Sequence, residues 1–150
     1  MPVEITSFNK TDIDSVIELT KNTPELDTGS AAPQFYGAKS LSTWLSNPNA
    51  VAFVAKDGDE LVAFLIGQVM LGRDGYINMT VIKDSHRGQG LAERLTKMAE
   101  QAFASKGCNR VWSVVESDNK PMQNLKKKLG YSWGKQNFKL IDKMIGPKPE

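Results

Sequence analysis

DSHRGQGLAERL, residues 84–95, sets an arginine, two glycines one residue apart and an alanine directly ahead of an amphipathic run. Leu91, Leu95, Met98, Ala99, Ala102 and Phe103 follow at the spacing of one helix face, and Gly107 closes the run. The longest helix of the chain is therefore expected to begin at the glycines. Such a start leaves the first N–H groups of the helix unpaired and clear of side chains. With the positive end of the helix dipole behind them, they suit an anion, most naturally phosphate. Gly88 and Gly90 allow close approach of the backbone, and Arg87 adds a fixed positive charge.

Three phosphate motifs compete for these residues. A nucleoside-triphosphate loop needs Gly-Lys-Ser/Thr, but Leu91 follows Gly90, so no lysine reaches a terminal phosphate and no hydroxyl holds magnesium. A dinucleotide fingerprint needs a small residue three positions past its second glycine, where this chain has Glu93. The third pattern, Arg-x-x-Gly-x-Gly/Ala, is met in full by Arg87, Gly88, Gln89, Gly90, Leu91 and Ala92.

Upstream, Val3, Ile5 and Phe8 alternate as in a strand over residues 2–8. Thr11-Asp12 then offers a cap for a helix carrying Ile13, Val16, Ile17 and Leu19. Residues 22–40 have no period and read as a long loop with two aromatics, Phe35 and Tyr36, before a short helix around Leu41–Leu45 that ends at Asn47-Pro48. AVAFVAK and ELVAFLIGQVML flank Asp57-Gly58, a hairpin signal, and a turn at Gly72–Gly75 leads into YINMTVI. Downstream, RVWSVVE (110–116) is a strand. Asp118 or Asn119 caps a helix with Pro121 in its first turn and Met122, Leu125 and Leu129 on its buried face. YSWGKQNFKLIDKMI reads as a final pair of short strands. The expected order is β-α-α-β-β-β-α-β-α-β-β, an α/β (α+β, mixed-sheet) fold in one domain over residues 1–150.

Composition narrows the function. The 19 basic and 17 acidic residues leave a net charge of +2, too little for a dedicated nucleic-acid binder. One cysteine excludes an internal disulfide, and with a single histidine it argues against a metal site of the histidine or cysteine type. No leader pattern and no long apolar stretch stand out, so the expectation is a cytoplasmic protein with no membrane partner.

The Arg87–Ala92 pattern resembles the pyrophosphate-binding motif of the GCN5-related N-acetyltransferase family. In that family the helix after the next strand carries Asn, then Tyr, then Leu-Gly-Phe, and ESDNKPMQNLKKKLGY (116–131) supplies Asn119, Leu129, Gly130 and Tyr131 at matching positions. The resemblance covers essentially the whole chain, most strongly Tyr76 to Tyr131. It implies a central, mostly antiparallel sheet flanked by helices and acetyl-CoA as cosubstrate, with Asn119 among the cofactor contacts. The diphosphate would lie on Arg87, Gly88, Gln89, Gly90, Leu91 and Ala92. The pantetheine arm would run along the strand ending at Ile82, through a gap opening around Thr80 and Val114. The reaction implied is acetyl transfer to a primary amine, of a small molecule or of a peptide.

Such transfer needs a neutral amine, a donor for the oxygen that becomes negative, and a fate for the thiolate. Backbone N–H groups around Val81 and Ile82 are candidates for the oxygen. Where relatives commonly have the tyrosine that protonates sulfur, seven positions after Asn119, this chain has Lys126. An ammonium there would stabilise a developing thiolate, whereas the run Lys126-Lys127-Lys128 reads more simply as a solvated face. Some relatives place a glutamate five residues before the asparagine, where Val114 stands; Glu116, two further on, is the candidate base. Tyr36 and Tyr76 are candidate acids that read more simply as packing aromatics, Tyr131 reads as core, and His86 as an incidental surface residue. The acceptor pocket falls to loop 22–40, where Glu25 and Asp27 would attract a cationic amine, with Trp44, the Arg73-Asp74 turn, Trp133 and Phe138. The rival reading is a module that binds acetyl-CoA without turnover, favoured by Lys126 and Val114. Exposed C-terminal strand edges would allow either a monomer or a homodimer.

Overall fold

The run ELVAFLIGQVML is apolar on both faces, and both faces are covered. It forms the middle strand, β3 (Glu60–Met70), of a sheet ordered β1-β2-β3-β4-β5 in the computed structural model, which describes residues 2–26, 35–136 and 138–147. β1 (Glu4–Ser7), β2 (Ala50–Asp57), β3 and β4 (Asp74–Ile82) pair antiparallel; β5 (Arg110–Ser113) joins β4 in parallel. On one face lie α1 (Ile13–Lys21) and α2 (Ala38–Leu45), whose Val16, Leu19 and Leu41 meet Val54, Phe64 and Ile66. On the other, α3 (Leu91–Ser105) packs Leu95, Ala99 and Phe103 against Val62, Leu65 and Ile77. The chain closes with α4 (Lys120–Lys128).

Local chemistry sets the element ends. Asp12 accepts a hydrogen bond from the Asn9 amide at 2.9 Å and pairs with Lys56 Nζ at 2.8 Å, so the start of α1 is tied to β2. Asn119 caps α4, its Oδ1 accepting from the Met122 amide at 3.3 Å, and Pro121 sits in the first turn as expected. Thr96, an unexpected member of the α3 face, is buried because its hydroxyl donates back to the Ala92 carbonyl at 2.7 Å.

Two bulges shape the sheet. Ala55 pairs Ala63 but Lys56 pairs Leu61, which leaves Val62 as the extra residue of β3. Ile66 pairs Met79 but Gly67 pairs Ile77, which leaves Asn78 as the extra residue of β4. A bulge bends its strand and changes which alternate residues face which side. Accordingly Ile77 faces α3, whereas Met79 and Val81 face α1 and α2.

Two expectations change. β5 stops at Ser113 rather than continuing to Glu116, because its last pair, Ile77–Ser113, lies immediately before the Asn78 bulge. The final pair of strands is absent from the described residues of 131–147. Strand-like sequence there finds no ladder partner and no face to cover, and Phe138, Ile141 and Ile145 are 76%, 90% and 94% exposed.

Candidate active site

β4 delivers the chain to the glycine loop through a tight turn, Asp84–His86, and the loop opens α3. His86 is not incidental. Its Nε2 lies 2.9 Å from Asp57 Oδ2 and its Nδ1 2.8 Å from Ser85 Oγ, which pins the loop to the β2–β3 hairpin. The histidine hydrogen bond holds the Asp57 carboxyl below its usual range. Gly88 and Gly90 both have positive φ, 76° and 79°, and among the described residues a Cβ at either would meet nothing within 4 Å. Glycine is thus favoured here by backbone conformation and not by crowding from the described residues. No side chain caps α3, whose N-cap is Gly90 itself. The first amides of the longest helix therefore have no partner in the side chain of their N-cap residue.

Three bonds fix the Arg87 side chain. Its Nε donates to the Ile82 carbonyl at 3.1 Å, and its Nη1 lies 2.9 Å from Asp84 Oδ1 and 3.0 Å from Glu25 Oε1. Glu25 therefore pairs with the arginine of the loop; Asp27 lies outside the described residues. Farther along, Glu93 holds Lys128 and Lys97, each at 3.0 Å, which ties the end of α4 to the first turn of α3 and keeps the Glu93 carboxyl below its usual range.

Beside the loop the sheet opens. β5 leaves β4 after Ile77–Ser113, and among the described residues nothing pairs with Asn78–Ile82 on that side. Lys83 N–H donates to the Val62 carbonyl at 2.8 Å. In an antiparallel ladder alternate residues repeat that direction, so Val81 and Met79 bond toward β3 while Thr80 and Ile82 face the gap. Of the two candidate amides, Val81's is thus engaged in the sheet, and Ile82's points into the opening. At the base of the gap Tyr76 and Trp112 stack with centroids 4.4 Å apart. Burial pushes the Tyr76 phenol up, with Tyr36 adding to the shift, and Trp112 Nε1 is buried with no partner among the described residues.

The other candidates separate. Glu116 is exposed past the end of β5, where its carbonyl accepts from the Asn119 amide and from Gln123 Nε2. Asn119 Oδ1 serves the α4 cap. Lys126 is not on a solvated face: it is 3% exposed, its Nζ has no hydrogen-bond partner among the described residues, and it lies 4.7 Å from the centroid of the Tyr131 ring. Tyr131 OH donates to Glu100 Oε2 at 2.8 Å; burial and then this bond push the phenol up. Burial lowers the Lys126 amine from its ordinary value, against a weaker opposite pull from Glu100. Lys126 thus points into the α3–α4 contact.

A buried, weakly paired ammonium costs stability. Lys126→Met is expected to raise stability by about 1 kcal/mol, read by urea denaturation at pH 7. Because the folded-state pKa lies below the unfolded one, unfolding takes up a proton between them, and wild-type stability rises with pH across that window. The advantage of the variant should therefore shrink as pH is raised toward 10; an advantage independent of pH would deny the buried charge.

Sequence reasoning missed the Asn78 bulge, the Glu25–Arg87 pair and the Tyr76–Trp112 stack. None has a local signal, since each depends on residues brought together across the sheet or across the chain.

The model of the acetyltransferase (GNAT) family matches residues 14–131. An acetyltransferase of Pectobacterium atrosepticum is 26% identical over 140 residues, which cover 86% of this chain and 87% of that protein. An N-alpha-acetyltransferase 30 of Schizosaccharomyces pombe is 30% identical over 84 residues, 53% of this chain and 56% of that one. A mycothiol acetyltransferase of Corynebacterium jeikeium is 32% identical over 59 residues, 39% of this chain but 17% of its own length. Among solved structures, an aminoglycoside N-acetyltransferase in complex with CoA superposes with a TM-score of 0.78 at 16% identity, over 95% of this chain and 96% of that one. Among the described residues no helix is long and apolar enough to cross a membrane.

Proposed function

Because the chain belongs to the acetyltransferase (GNAT) family, we propose that it moves an acetyl group from acetyl-CoA to the primary amine of a small molecule or a peptide. One observation carries the reading: an unpaired strand edge runs directly into an uncapped helix N-terminus beside an arginine. That edge and that terminus suit the two chemically distinct halves of the donor, an amide-bearing arm and a diphosphate.

In this reading the amides of Gly88 to Ala92 and the Arg87 guanidinium hold the diphosphate. Thr80 offers its N–H and C=O groups to the arm, as an adjacent strand would. Acetyl-CoA supplies an activated thioester carbonyl: the amine nitrogen bonds to that carbon, the carbon–sulfur bond breaks, and the amine proton ends on water, a base or the thiolate. The Ile82 amide is the proposed donor to the oxygen that gains charge, since it faces the gap and Val81's does not. Glu116 is the proposed base, exposed beyond the strand end where the gap opens. A thiol of pKa about 8.5 leaves without full protonation, so an acid is dispensable. Lys126 is proposed to stay buried against the Tyr131 ring and not to reach sulfur. Asn119 acts through the α4 cap, and placement of the two reactants supplies most of the acceleration.

The test is release of CoA thiol from acetyl-CoA across a panel of small amines and peptide N-termini. Amine-dependent release supports the transferase. A second reading, a module that binds acetyl-CoA without turnover, is favoured by the inward turn of Lys126 at the position where relatives carry their acid. Tight binding without release above background would select it.

A further inference from the structure

Arg87 carries more negative charge than it can neutralise. Asp84 and Glu25 both sit on its Nη1, two carboxylates against one guanidinium, and the donor's diphosphate would arrive at a locally anionic site. Asp84 belongs to the same turn and moves with the loop. Glu25 comes from a separate segment, Pro24–Leu26, 62 residues away. Its carboxyl is held below the usual range first by a hydrogen bond from its own backbone and then by Arg87. Both side chains are about half exposed, and an ion pair of that kind is cheap to break.

We infer that Glu25 is a displaceable internal counter-ion of the loop arginine, seated on the guanidinium in the free protein and exchanged for the diphosphate of the donor on binding. The inference rests on the acetyl-CoA reading of loop 87–92. Glu25 thereby sets donor specificity: a ligand must bring enough negative charge to outcompete a tethered carboxylate. It also links the donor loop to the α1–α2 side of the sheet, because Leu26, the next residue, packs into that core.

Calorimetric titration of the full chain separates the two readings, with acetyl-CoA and with acetyl-pantetheine, which lacks the diphosphate. Glu25→Gln is expected to bind acetyl-CoA about two- to fivefold more tightly. It should bind acetyl-pantetheine as the wild type does, and should lose most of its gain in an Arg87→Gln background. Unchanged or weaker acetyl-CoA binding by Glu25→Gln, or an equal gain for acetyl-pantetheine, overturns the counter-ion. If Arg87→Gln still weakens acetyl-CoA in that event, the donor reading of the loop survives. If Arg87→Gln leaves acetyl-CoA affinity intact, both readings fall.

Discussion

Arg87→Glu is expected to weaken acetyl-CoA binding about 100-fold. Removing a charge-assisted contact costs about 1.5–3 kcal/mol. Placing a carboxylate about 4 Å from a phosphate adds roughly 1 kcal/mol of repulsion in water. Together these come to about 3 kcal/mol, and each 1.4 kcal/mol is tenfold in affinity. The free protein should hardly notice, because the ion pairs of Arg87 are exposed and its remaining bond is to the Ile82 carbonyl. The measurement is thermal melting with and without ligand. A saturating ligand stabilises by an amount logarithmic in its concentration over Kd, so wild type and variant should melt within about 4 °C of each other alone and diverge in acetyl-CoA. Equal ligand-induced shifts would mean that the diphosphate does not lie on this loop.

The second large effect concerns the packing that brings α3 to the sheet. A Cβ built on Gly75 would lie 2.5, 2.6 and 2.7 Å from three ring atoms of Phe103, and one on Gly67 would lie 2.6 Å from the Tyr76 carbonyl oxygen and 3.0 Å from Phe103 Cζ. Phe103 is fully buried, so its ring has no open space to take up. Gly75→Ala is therefore expected to cost about 3 kcal/mol, as overpacking does in a tight core. Phe103→Leu should recover part of that loss in the double variant while being destabilising alone, a coupling that a double-mutant cycle in urea would read. If Gly75→Ala stays within about 0.5 kcal/mol of wild type, the close fit of ring to sheet is not what seats α3.

Hairpin chemistry at Asp57-Gly58, the two-faced apolar run of β3 and the helical period from Leu91 to Phe103 were each legible because the determinant is local. Period follows from backbone geometry, and a turn follows from the few residues that tolerate it. The same holds for the glycine loop: positive φ at Gly88 and Gly90 is a demand on those residues alone, and Arg87 stands beside them in the chain. The conformation of the loop was readable for that reason.

The remaining features depend on distant partners. Lys126, one of three consecutive lysines, is buried because α4 turns that residue toward Tyr131 and Glu100, and nothing in the run distinguishes it from its neighbours except its place on the helix face. Glu25 finds Arg87 only when β4 and the end of α1 are brought side by side. The strand-like C-terminal segment lacks a ladder because pairing needs a free edge at the right place and register. The opening between β4 and β5 exists because one residue, Asn78, is left over when two strands align. Patterns along the chain specify which elements form and where the glycine loop opens a helix. Which charges meet, which lysine is buried and where the sheet parts are long-range pairings, and those are set only when the whole chain closes on itself.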